Sequence, residues 1–168
     1  MLDRTRQHWD STGSGSDRVL SKRLLRKAPG RYRSRYCTAA CPNVSWFDLV
    51  RQHLAKLEAR LVAALRSLIS HNYPPEVFAL SFEVFSDTFT SGFPARAFFM
   101  DRTNCEYFLY VNGEATYPSP IDPWLLDIDS TYPAEIEDDF LSRDPDLNTW
   151  DIATSEFISW FSECWDKA

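Results

Sequence analysis

The sequence predicts an α+β fold. A small antiparallel β-sheet of three to four strands is packed by a long N-terminal helix and a C-terminal helix, behind a disordered basic N-terminal tail. Three observations predict it. Residues 46–70 carry apolar side chains at helical spacing with no Gly or Pro among them. Residues 76–117 hold short runs rich in β-branched and aromatic residues, separated by turn residues. Residues 151–166 form a second amphipathic run. The length of 168 residues suits one domain, placed at 45–168, with a tail at 1–44. A hydrophobic content of 44% with 15% aromatic residues is enough to build a core.

The tail is set apart by charge. Residues 1–44 carry 10 basic and 3 acidic side chains, net +7, whereas 45–168 carry 8 and 21, net −13. Ser11-Thr12-Gly13-Ser14-Gly15-Ser16 reads as linker. With few large apolar residues, such a segment does not offset its ordering entropy. It is expected to be a disordered tail or an extension upstream of the natural start. Two other readings stay open: an Arg- and Ser-rich transit peptide, or an arm that binds nucleic acid through its arginines with Tyr32 and Tyr36 stacking on bases. Nucleic acid is expected as a partner only through this tail.

The first helix opens at Ser45-Trp46-Phe47-Asp48, a capping box with Asp in place of Glu. Phe47, Val50, Leu54, Leu57, Leu61, Leu65 and Leu68 then trace one face. Asn72, Tyr73, Pro74 and Pro75 stop it. The first strand covers 76–85, with Phe78, Leu80, Phe82 and Val84 on one side. A polar loop over 86–94 leads to a strand over 95–100. The 101–104 turn suggests a hairpin into a third strand over 105–111. Asn112-Gly113 is a second tight-turn signal, leading into 114–117. Four prolines keep 117–133 largely irregular. A short helix over 133–143, with Ile136, Phe140 and Leu141 inward, ends at Asp144-Pro145. The closing helix turns Ile152, Phe157, Trp160, Phe161 and Cys164 inward.

Most catalytic signatures are absent. The chain has no G-x-S-x-G elbow, no P-loop, no G-x-G-x-x-G strand-to-helix turn and no HExxH. His8, His53 and His71 are read as surface residues. Cys37-x-x-x-Cys41 lacks a second ligand pair for zinc and a third cysteine for an iron–sulfur cluster. Cys105 and Cys164 are read as core fillers, and four cysteines suit a reducing cytoplasm. Asp144-x-Asp146-x-Asn148 imitates the start of an EF-hand loop, but Thr149 stands where Gly is required and Ser155 where Glu is required. No cofactor and no metal is expected, and no run of about 18 apolar residues predicts a membrane partner. Glu83, Arg96, Asp101 and Arg102 are the alternative: a small enzyme site of scattered polar residues.

The densest feature is acidic. Ten carboxylates over 122–151 are opposed only by Arg143, with Trp124, Tyr132 and Trp150 among them. Such a stretch is a solvated surface, a docking face for a basic partner or a source of paired carboxylates for acid–base hydrolysis, and sequence leaves all three open. Whether Trp124 and Trp150 are core or interface is also open. As a docking face, its residues are Glu135, Asp138, Asp139, Asp144, Asp146, Trp150 and Asp151.

The 45–168 domain resembles the small immunity proteins of bacterial polymorphic-toxin systems. The resemblance is carried by the 47–68 helix, the 78–85 strand and the 135–151 acidic stretch, together with size, acidity, aromatic content and lack of catalytic apparatus. It implies a cytoplasmic, non-enzymatic protein that neutralises a basic toxin through that face. The basic tail departs from the pattern.

Overall fold

A computed structural model describes residues 44–168 and, as backbone strands, residues 6–11 and 20–22. The elements run β1 (Arg6–Ser11), β2 (Leu20–Lys22), α1 (Trp46–Ser70), β3 (Ala79–Val84), β4 (Ala95–Met100), β5 (Leu109–Val111), β6 (Glu114–Thr116), α2 (Ala134–Arg143) and α3 (Thr149–Lys167). Strands β3 and β4 pair antiparallel with Phe82 opposite Ala97 and Glu83 opposite Arg96. Strand β1 pairs with the other edge of β3, and β2 with β1, giving the order β2-β1-β3-β4. The tail therefore supplies two strands. Its remaining residues, including Tyr32, Tyr36, Cys37 and Cys41, lie outside the described residues.

Helix α1 begins as its sequence directs. The Ser45 hydroxyl accepts the Asp48 N–H at 3.1 Å and donates to the Asp48 carboxylate at 2.6 Å. It runs 25 residues, about 37 Å at the usual rise. At its end the Tyr73 hydroxyl donates to the Leu68 carbonyl. The buried face is shifted from the expected stripe at one end: Trp46 is buried, while Phe47 is 38% exposed under the Arg51 guanidinium. The Trp46 indole N–H reaches the Thr149 carbonyl at 3.1 Å, and that bond selects which of the two rings turns inward.

Helices α1 and α3 run side by side in the same direction. Trp46 meets Thr149, Arg51 pairs with Glu156 at 2.6 Å, and Glu58 accepts from Lys167 at 2.7 Å. Each step forward on one helix is a step forward on the other. The 71–148 segment carries the chain back so that both helices start at one end. The core lies where α3 meets the sheet: Phe82 packs on Phe161 and Trp165, and Phe157 on Phe93 from the loop before β4. Of the expected strand face, Phe82 is buried and Leu80 and Val84 pack on the core, but Phe78 is 36% exposed.

The expected third strand is interrupted. Asp101 accepts hydrogen bonds from the Thr103 N–H, the Thr103 hydroxyl and the Cys105 N–H, and Asn104 takes φ 62°. These bonds curl 101–105 into a loop, after which the chain meets the β4 backbone at the Met100–Glu106 bridge and through the Tyr107 N–H on the Phe99 carbonyl. Donors to the Asp101 carboxylate, the Cys105 N–H foremost, hold its pKa below the usual carboxylate range. Regular pairing resumes as a separate hairpin, β5–β6, whose Asn112-Gly113 turn has positive φ at both positions, 54° and 88°. Glycine fits the second of these without a Cβ penalty.

The cysteines divide differently from the expectation. Cys164 is a core residue, but Cys105 is exposed on the curled loop, because the Asp101 bonds turn it out of the sheet. Burial pushes the Cys164 thiol up to about 11. At pH 8 its thiolate fraction is then on the order of one in a thousand. Alkylation of the folded protein at pH 8, read by peptide mass spectrometry, is expected to label Cys105 within minutes and leave Cys164 unmodified. Equal labelling would show that the α3 core opens readily.

Candidate functional site

The acidic face is built on α2, the turn after it and the first turn of α3. Asp144 caps the C-terminus of α2, its N–H bonding to the Phe140 carbonyl. Asn148 caps the N-terminus of α3, accepting the Asp151 N–H and donating to the Asp151 carboxylate at 2.6 Å. The EF-hand-like spacing of Asp144, Asp146 and Asn148 is thus two helix caps four residues apart. Glu137 is buried and accepts from the Thr149 hydroxyl at 2.6 Å. That bond sets the first turn of α2 against the first turn of α3.

The residues named from sequence fall into two groups. Asp139 is held by Arg143, one turn along α2, and Asp151 by Asn148. Asp144 accepts the Asp146 N–H at 3.3 Å. Glu135, Asp138 and Asp146 are exposed, and among the described residues no ion pair engages their carboxylates. Trp150 is 53% exposed and Trp124 is 40% exposed, so both indoles are surface residues. Tyr132 is core: it is fully buried, edge-on to Trp46 and stacked on Phe89. Burial, with the Glu137 carboxylate adding to it, raises its phenol further above the ordinary range.

The alternative site is only partly assembled. Glu83 and Arg96 are cross-strand partners. Arg96 also pairs with Glu106 at 3.2 Å, donates to the Tyr117 hydroxyl and lies over the Phe98 ring. Desolvation raises the pKa of Glu106, with Arg96 opposing and Glu83 adding. Asp101 is occupied in its turn, and Arg102 covers Phe78. Glu106 and Tyr117 are the members that sequence reasoning missed, because neither lies in a motif. Of the histidines, His53 is not freely exposed. Desolvation lowers its pKa most, Lys56 adds to this, and the Thr131 backbone opposes both. Among the described residues no group of three or more His, Cys, Asp or Glu is placed to hold a metal ion.

A second concavity was not legible in the sequence. The 88–93 loop and the 122–128 segment enclose an open cleft of about 490 Å³. The Thr131 hydroxyl bonds the Gly92 carbonyl at 3.0 Å, and the Thr131 N–H the Phe89 carbonyl at 2.8 Å, fixing one wall. On the other wall the Asp122 carboxylate caps the Trp124 N–H at 2.8 Å, and Leu125 adopts φ 68°. That conformation is unfavourable for leucine. It buries Leu125 and Leu126 while leaving the Trp124 indole outside.

Comparisons with protein-family models, with curated proteins and with solved structures return no match. No helix among the described residues is long and apolar enough to cross a membrane.

Proposed function

We propose that the 45–168 domain is a non-catalytic protein-binding domain that docks a partner with a basic surface, in the manner of an immunity protein neutralising a basic toxin. The observation that supports this reading best is Trp150. An indole 53% exposed stands at the start of α3, in a stretch whose carboxylates Glu135, Asp138 and Asp146 have no cation of their own among the described residues. Unpaired negative charge steers a basic surface into encounter. An exposed Trp supplies the area that slows its departure.

The test is the affinity for the neighbouring gene's product, measured against ionic strength. Binding is expected to weaken as salt rises. Reversing Asp138, Asp139, Asp144 and Asp146 to lysine is expected to abolish tight binding, with circular dichroism confirming the fold. Trp150→Ala leaves the core untouched and is expected to weaken binding about 10- to 30-fold. A complex indifferent to the four reversals sinks the acidic face as the docking surface.

A further inference from the structure

We propose that the cleft between the 88–93 loop and the 122–128 segment receives one cationic side chain, a lysine ammonium or arginine guanidinium, from a protein partner. This rests on the reading that the domain binds a basic protein, and it assigns where one of that protein's side chains seats. The cleft, at about 490 Å³, falls within the size of small-ligand sites. Its charge is one-sided: Asp122 and Asp127 line it together with Trp124, Thr88 and Ser91, and among the described residues no cationic side chain does. Leu126 and Ile128 add apolar surface.

Those groups match the parts of a long cationic side chain. The methylene stem lies on apolar surface while the charged head stays polar-bonded. An indole face attracts the cation, and carboxylates give charge-assisted hydrogen bonds. An anion would meet two like charges here, and an apolar ligand would strip water from both carboxylates without replacing it.

The site's own surroundings leave its charge available. Arg60 reaches this segment but donates to the Asp127 backbone carbonyl, at 2.9 Å. The Asp127 carboxylate is therefore without an ion pair among the described residues. Among the described residues the Asp122 carboxylate accepts the neutral Trp124 backbone N–H. The Phe85 ring, 5.2 Å from the Trp124 ring, supports the indole from one side. The bonds from Thr131 and Arg60 hold both walls before any ligand arrives.

The experiment titrates the full, ¹⁵N-labelled chain at about 10 mM ionic strength, where charges are felt over about 30 Å. The probes are Nα-acetyl-arginine amide, its neutral citrulline counterpart and hexa-arginine. The arginine probe is expected to shift the Trp124 indole, Ser91 and Gly92 resonances saturably, with Kd on the order of millimolar. Citrulline is expected to bind at least about tenfold more weakly. The Asp122→Asn/Asp127→Asn double variant keeps the oxygen that caps Trp124 and should lose the same factor, as should Trp124→Ala. A Trp124 indole that ignores the arginine probe, or that answers citrulline equally, overturns the proposal. Hexa-arginine separates the two readings. Shifts confined to 135–151 overturn the cleft and leave the acidic docking face standing, whereas no shift anywhere at low salt removes both.

Discussion

Trp46→Ala is expected to lower the unfolding free energy by about 3–5 kcal/mol in urea titration, the range for truncating a large buried aromatic. A domain of this size is commonly stable by about 5–15 kcal/mol, so the loss is a large share of the whole. The reason lies in what Trp46 joins. It is 3% exposed at the first turn of α1, its N–H bonds the Thr149 carbonyl at the first turn of α3, and its ring touches Tyr132 and Phe140. Four segments meet on this one side chain. Trp46→Phe separates the two contributions, since it retains an aromatic ring and deletes the donor. It is expected to cost about 1–3 kcal/mol, combining the lost bond with a smaller ring. Phe47→Ala, next in sequence but 38% exposed, is the control and should cost well under half as much as Trp46→Ala. Equal losses at 46 and 47 would mean that the helix does not present this face.

Phe157→Ala is expected to cost a similar amount, about 3–5 kcal/mol. Phe157 is fully buried on α3, with Phe89 at 5.7 Å, Phe93 at 5.4 Å, Trp160 at 5.6 Å and Phe161 at 5.8 Å between ring centroids. Two of those rings belong to the loop joining β3 to β4. The variant should therefore show a local effect beside the global one: faster hydrogen exchange at the Thr131 amide, which bonds the Phe89 carbonyl. Phe157→Leu fills most of the space and is expected to cost less than about 1.5 kcal/mol. Retained stability in Phe157→Ala would place the centre of the core elsewhere.

Charge on the acidic face follows from helix ends. Asp144 and Asn148 are placed by capping, and Asp139 by a partner one turn away. Among the described residues, the carboxylates of Glu135, Asp138 and Asp146 are those that no ion pair engages. Composition marked the whole 122–151 stretch, but not this division, since a carboxylate that caps and one that projects look alike in sequence.

Local signals were sufficient wherever a few consecutive residues decide the backbone. Ser45 and Asp48 start α1, Asn112-Gly113 turns β5 into β6, and the apolar spacing of 50–68 selects the buried side of α1. Each rests on hydrogen bonds or sterics within about one turn of chain. The 105–111 strand failed for a local reason too, because the Asp101 side chain competed for the N–H groups a ladder needed.

By itself, the sequence determined the α+β class, most element positions, and the contrast in charge between residues 1–44 and 45–168. Only tertiary structure decided the parallel course of α1 and α3, the burial of Tyr132 against the exposure of Trp124 and Trp150, and the cleft between 88–93 and 122–128. These depend on pairs far apart in the chain, such as Trp46 with Thr149 and Arg60 with Asp127. An aromatic ring has the same periodicity whether it faces a neighbour or water, and the partner that settles the matter can lie 103 residues away, as Thr149 does from Trp46.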